Sequence, residues 1–253
     1  METPADEQGG IRVNVFLSRC GLASRRHADE IVAAGRVTIS GTTALLGSRV
    51  DPAHDVVRVD GREIRPVVSK TALVLNKPAG YLVSRHDPHY TTTVYDLLPV
   101  GFAHLVPVGR LDLNTEGVLL MTDDGQLVER LTHPRYRVPR VYRATVKGHP
   151  DAEALALLRN GVEIEGGVTG PAEVRVFGHR RETAELELVL REGRKREVRL
   201  MCRAVGHEVL HLQRTEFAGI GVSDLAPGRW RVLSTAEIAL LREQSESPSD
   251  RSD

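Results

Sequence analysis

The chain has 253 residues, 41% hydrophobic and 27% charged, enough apolar material for one or two packed cores and too ordered a composition for wholesale disorder. No apolar run approaches the roughly 18 residues of a membrane-spanning helix, and the opening METPADEQGG lacks the basic start and apolar stretch of a secretory signal. Cys20 and Cys202 are the only cysteines, which gives neither a disulfide framework nor a zinc cluster, so a soluble cytoplasmic protein is the expectation. Net charge is zero, but residues 1–10 and 243–253 carry −3 each and leave +6 on the body. Arginine supplies most of that excess, and its planar fork suits phosphate, a balance that fits a nucleic-acid partner.

Residues 1–10 and 243–253 are expected to be disordered tails around units at 11–66 and 70–242, joined by the linker RPVVSK at 65–70. In the first unit Val13, Phe16 and Leu17 recur at helical spacing, so a short helix is predicted there, ended by Gly21. Ser24 is the expected N-cap of a second helix with Ala28, Ile31 and Val32 as its buried face and Gly35 as its stop. RVTISG and VVRVDGREI then read as short strands broken by Ser-Gly and Asp-Gly turns.

Arg25, Arg26 and His27 fill the first turn after the Ser24 cap. Cations are unfavourable at the partly positive start of a helix unless an anion sits there, and a helix start with two guanidiniums makes a phosphate site. Arg19 and Arg36 would extend the patch. On this fragment alone a solvated arginine face is an equally good reading. The run FLSRCGLASRRHADEIVAAGRVTISG (16–41), however, resembles the S4 type of RNA-binding domain, which implies that Arg19, Arg25, Arg26 and Arg36 contact RNA.

The second unit is strand-rich, with LVLN, HLVPVG, GVLLMT, VYRATVKG, AELELVL and EVLHLQRTEF as its strand candidates. Helices are expected near 126–132, 151–159, 195–205 and 235–242, the last with a capping box from Ser234 and Glu237. In HLVPVGRLDLNTEGVLLMTDDG (104–125) two apolar runs flank a polar tract that puts Asp112 on a loop held by a rigid scaffold. Arg110 stands two residues away as a counter-charge that would keep Asp112 ionised, fit to act as nucleophile or general base. A structural Asp accepting backbone N–H groups is the plainer alternative. Asp112, Asn114, Glu116, Gly117 and Asp123 also match five positions of a calcium loop, but the flanks are β-like and the last ligand is a short Asp.

Tyr142 shares a strand face with Ala144 and Val146, where a core tyrosine is the ordinary reading. Arg196, Arg199 and Arg203 form a basic stripe on a helix whose apolar face is Val198, Met201, Cys202 and Val205, ended by Gly206; ordinarily such a stripe is a solvated face. The ten histidines are scattered, and no metal motif, P-loop or G-x-G-x-x-G occurs, so neither metal nor cofactor is expected.

GRLDLNTEGVLLMTDDG resembles the central motif of the RNA pseudouridine synthases, in the branch that modifies ribosomal RNA and carries an N-terminal S4 domain. LNKPAGYLVS (75–84), VYDLLP (94–99), LTHPRY (131–136), RVYRATV (140–146) and EGRKREVRLM (192–201) match the same family in the same order, over residues 11 to about 242. The resemblance implies an α+β chain: a small N-terminal S4-like RNA-binding domain, then a catalytic domain with a mixed, mainly antiparallel sheet and flanking helices. It implies Asp112 as the catalytic aspartate, Tyr142 stacked on the uracil and able to take a proton, and Arg199 paired with Asp112. Leu200 stands where relatives often carry another basic residue. Lys77, Arg110 and Arg196 are weaker candidates for RNA or active-site contacts. The expected substrate is a uridine in ribosomal RNA, of the large subunit by the closer look of the motifs, flipped into a pocket for isomerisation by a monomer. The alternative is a ribosome-assembly factor with an inactive synthase domain.

Overall fold

Val13, Phe16 and Leu17 fall on the buried side of α1 (Val13–Arg19), and Ala28, Ile31 and Val32 on that of α2 (Arg25–Ala33), as their helical spacing requires. The computed structural model describes residues 10–23, 25–65, 70–85 and 87–245; the expected Ser24 cap and most of both expected tails lie outside the described residues. The chain divides into two units, Met1–Lys70 and Thr71–Asp253. In the first, β1 (Ile11–Arg12) pairs with β4 (Arg49–Val50), while β3 (Thr42–Thr43), β2 (Val37–Ile39), β5 (Val57–Val59) and β6 (Arg62–Ile64) lie in that order in an antiparallel sheet. Its core joins the two helices to Val37, Val50, Val57 and Val59.

The second unit contains β7 (Ala72–Lys77), β8 (Val106–Pro107), β9 (Glu116–Thr122), α3 (Gly125–Thr132), β10 (Arg140–Lys147), α4 (Ala152–Asn160), β11 (Glu163–Ile164), β12 (Gly167–Val168), β13 (Glu173–His179), β14 (Thr183–Leu190), α5 (Glu197–Ala204), β15 (Val209–Phe217), β16 (Ile220–Gly221), β17 (Trp230–Val232) and α6 (Thr235–Gln244). Its large sheet runs β13–β14–β10–β15–β9–β7–β17, with β8 beside β9 and β16 beside β15. Every pairing is antiparallel except β15 with β9. The fold is thus α+β with a mixed, mainly antiparallel sheet. Among the described residues no helix is long and apolar enough to cross a membrane.

Strand β9 is covered on both faces, which is why VLLMT has no polar alternation. Val118 and Leu120 pack with Leu127 and Leu131 of α3 and Leu241 of α6, whereas Leu119 and Met121 pack with Leu73, Leu75, Val94 and Leu105. Strand β14 alternates strictly, sending Ala184, Leu186, Leu188 and Leu190 into a core shared with α4 and α5. Asp124 caps α3 and the Ser234–Glu237 capping box opens α6.

Two expected elements are shorter than their sequence pattern. The run HLVPVG forms only the two-residue β8: Pro107 has no N–H for a ladder, and Gly109 turns the chain at φ +72°. The helix expected over 195–205 begins at Glu197, because Arg196 takes a left-handed conformation (φ 56°). Arg196 therefore leaves the basic stripe and stands in the turn that precedes it.

Candidate active site

Between β8 and β9 the chain makes a turn closed by Thr115 N–H donating to Asp112 O (3.0 Å). All four carbonyls of residues 112–115 are held. The Lys77 ammonium, fully buried at the end of β7, donates toward Asp112 O (3.3 Å), Leu113 O (3.1 Å) and Thr115 O (2.9 Å), and toward Pro78 O (3.0 Å). Gly80 N–H also donates to Leu113 O (2.9 Å), and Arg199 Nη2 donates to Asn114 O (3.2 Å). Burial pushes the Lys77 pKa down to about 8, against the opposing pull of Glu116 and Asp112. Lys77 was expected to contact RNA or the active site; burial and its carbonyl partners keep it off solvent phosphate and make it a clamp on the loop that bears Asp112.

The turn delivers the half-buried Asp112 into a cavity of about 540 Å³, a size ordinary for a small-ligand site. Its carboxylate feels the Lys77 charge but makes no hydrogen bond or ion pair among the described residues. Tyr142 lines the same cavity, at the seam between the core under α5 and the core under β7 and β9. Arg110 and Arg196 line it as exposed side chains, beside Arg194 and Lys195. Arg110 makes no ion pair with Asp112, and neither does Arg199, whose guanidinium is spent on Asn114 O and on Val209 O (3.1 Å). The structure thus brings Asp112, Tyr142, Arg110 and Arg196 to one cavity. Arg199 reaches the Asp112 turn through its backbone.

Three cavity groups have no place in the sequence reading. Arg214 is 2% exposed and is the register partner of Tyr142 across β10 and β15. Its Nε donates to Val118 O (2.9 Å), its guanidinium stacks on Phe217, and its buried Nη2 has no partner. Burial lowers its pKa, partly offset by the attraction of the Tyr142 oxygen and by a side-chain hydrogen bond to it. Arg140 is tied to the carbonyls of Leu131, Val138 and Glu192 and braces the wall. Glu197, 5% exposed, is pushed up to about 8 by burial and by neighbouring Glu192. Burial would raise Glu192 too, but Glu197, Gly170 N–H and Arg194 hold its carboxyl low. The signal for Arg214 is that it shares a strand face with Leu212, so a charge stands on an apolar face.

In the first unit Arg25 and Arg26 are exposed at the start of α2, whose first turn carries no acidic residue. Arg19 closes α1. Arg36 differs from its expected place in that patch, because Asp60 takes its guanidinium in a forked pair (2.9 and 2.5 Å). The calcium loop is not formed: the flanks are strands, and Asp123 Oδ1 accepts from Thr71 N–H (2.9 Å).

The pattern of the family described as RNA pseudouridylate synthase matches residues 71–204, and that of the S4 domain residues 11–57. An uncharacterized RNA pseudouridine synthase of Aquifex aeolicus (strain VF5) is 40% identical over 233 residues, 91% of this chain and 93% of that protein. The ribosomal large subunit pseudouridine synthase B of Bacillus subtilis (strain 168) is 35% identical over 237 residues, 91% of this chain and 95% of its own. A crystal structure of a pseudouridylate synthase superposes with a TM-score of 0.67 at 26% identity, covering 91% of this chain and 99% of that one. A matched family pattern over half the chain, relatives matched nearly end to end and a shared fold agree: the chain belongs to the RNA pseudouridine synthases.

Proposed function

We propose that this enzyme isomerises a uridine of ribosomal RNA to pseudouridine, that its target lies in large-subunit RNA, and that Asp112 is the catalytic carboxylate. The large-subunit target is supported by the relative of that name in Bacillus subtilis. One observation carries the assignment of Asp112: among the described residues its carboxylate makes no hydrogen bond or ion pair, yet its backbone is fixed at every carbonyl of the turn. Such a group is positioned without being neutralised, which suits attack on C1′ or support of a cationic sugar.

A base stacked in RNA is out of reach of a half-buried side chain, so the nucleotide flips into the cavity, at an unstacking cost of a few kcal/mol. Tyr142 supplies the ring against which uracil stacks. Arg110, Lys195 and Arg196 at the exposed rim meet the flanking phosphates. Arg199, holding Asn114 O, acts on Asp112 by fixing its turn. The α2 arginines of the N-terminal unit hold RNA phosphates as well.

Asp112→Asn keeps the shape and removes the charge. It is expected to abolish tritium release from RNA carrying 5-tritiated uridine while RNA affinity stays within a few-fold. Normal turnover by that variant would remove Asp112 from the mechanism.

A further inference from the structure

Arg214 is the cavity group whose state the assigned roles leave unexplained. A guanidinium stays charged, and a buried charge without a full set of partners is costly. Nε is satisfied by Val118 O, the guanidinium also hydrogen-bonds the Tyr142 oxygen, and Phe217 covers one face of the ion. Nη2 remains buried and without a partner in a side chain that lines the cavity holding Asp112 and Tyr142. No acidic side chain pairs with Arg214 among the described residues.

We propose that Arg214 is a further catalytic residue, whose Nη2 hydrogen-bonds a carbonyl oxygen of the target uracil and stabilises the uracil anion that leaves C1′. The proposal rests on the reading of the Asp112 cavity as the uridine site. The ligand atom at Nη2 is an acceptor, because guanidinium only donates. The exposed cations at the rim suit phosphate, whereas a dry place beside Tyr142 and Phe217 suits a flat neutral ring.

The chemistry calls for such a donor. The C1′–N1 bond breaks with its electron pair kept by the base, leaving a uracil anion whose charge is shared among N1, O2 and O4. C1′ is then joined to C5, C5 gives up its proton, and N1 gains one, so the released product is neutral. A donor fixed beforehand at O2 or O4 gains strength as that charge develops, as donors in an oxyanion hole do.

The test varies the leaving group. Fluorine at C5 stabilises the base anion by withdrawing electrons, so loss of Arg214 should matter less for 5-fluorouridine. Single-turnover consumption of the parent nucleoside is measured by digestion of RNA carrying uridine or 5-fluorouridine at the target. Arg214→Gln is expected to slow uridine by about a hundredfold, the usual cost of one such donor, and 5-fluorouridine markedly less. Equal slowing of both, or no slowing, overturns the proposal. Arg214→Lys keeps the charge and carries the same comparison should the glutamine variant not fold, with selective or equal slowing read in the same way. Asp112→Asn run in parallel separates the two claims. Turnover without that carboxylate sinks the site itself, whereas its loss together with equal slowing in the Arg214 variants sinks only the role of Arg214.

Discussion

Lys77 brings a cation where water does not reach, and the carbonyls of Pro78, Asp112, Leu113 and Thr115 converge on its three N–H groups. Lys77→Met fills the space but leaves those buried oxygens short of donors, a loss of about 3 kcal/mol. Denaturant unfolding should show that destabilisation, and tritium release should fall at least tenfold as the Asp112 turn loosens. Glu197 gives a pH signature. Its folded pKa of about 8 lies above the ordinary 4.5, so its contribution to stability is full below about pH 4.5 and is lost as pH rises through 8. Glu197→Gln mimics the neutral form, and Tm of the variant relative to wild type should therefore rise between pH 5 and pH 8.5. A constant difference would mean that Glu197 is ionised throughout. At this scale a polar tract between two apolar runs marked Asp112 as a residue on a held loop, which its turn bears out, whereas the role proposed for it came from the family resemblance and from no local pattern. Lys77 was singled out for RNA or active-site contacts without its inward turn being visible, since no local signal separates a lysine that reaches solvent from one that turns back onto carbonyls.

The turn that bears Asp112 depends on how closely two strands approach. At the parallel junction of β9 and β15, Gly117 has φ +100°, and a Cβ there would lie 2.1 Å from Arg214 O. Gly117→Ala combines backbone strain with a backbone clash, so a cost of about 3 kcal/mol or more follows. For a unit of this size that lowers Tm by about 10 °C, and pseudouridine formation should drop with it because Arg214 and the Asp112 turn share the junction. An unchanged Tm would show that the strands can part at no cost. Periodicity predicted the helices well: the helical spacing of Ala28 with Ile31 and Val32, and of Val198 with Met201 and Cys202, matches their burial. Strand partners were not legible, because the β9–β15 contact joins segments about 100 residues apart, and nothing local in either states which edge it will meet. The same distance hides Arg214: it enters the site only when β15 lies between β9 and β10.

Across the whole chain, acidic ends offset a body of +6, so net charge understates the attraction for RNA. Arg25 and Arg26 stand exposed at the start of α2, where cations weaken the helix slightly unless an anion is bound. Replacing both with alanine should therefore leave Tm unchanged or slightly raised while weakening RNA binding. Each phosphate contact contributes about 0.7 to 0.9 to the slope of log affinity against log salt, so the double variant should lose about 1.5 from that slope. Titrations of RNA at several salt concentrations measure it directly. With the chemistry proposed at Asp112, in the other unit, kcat at saturating RNA should hold while KM rises. Arg36→Ala is the internal control, because Asp60 already occupies that guanidinium, and its salt slope should stay close to wild type. A double variant with an unaltered slope would place these arginines on a solvated face and leave the second unit to hold the RNA.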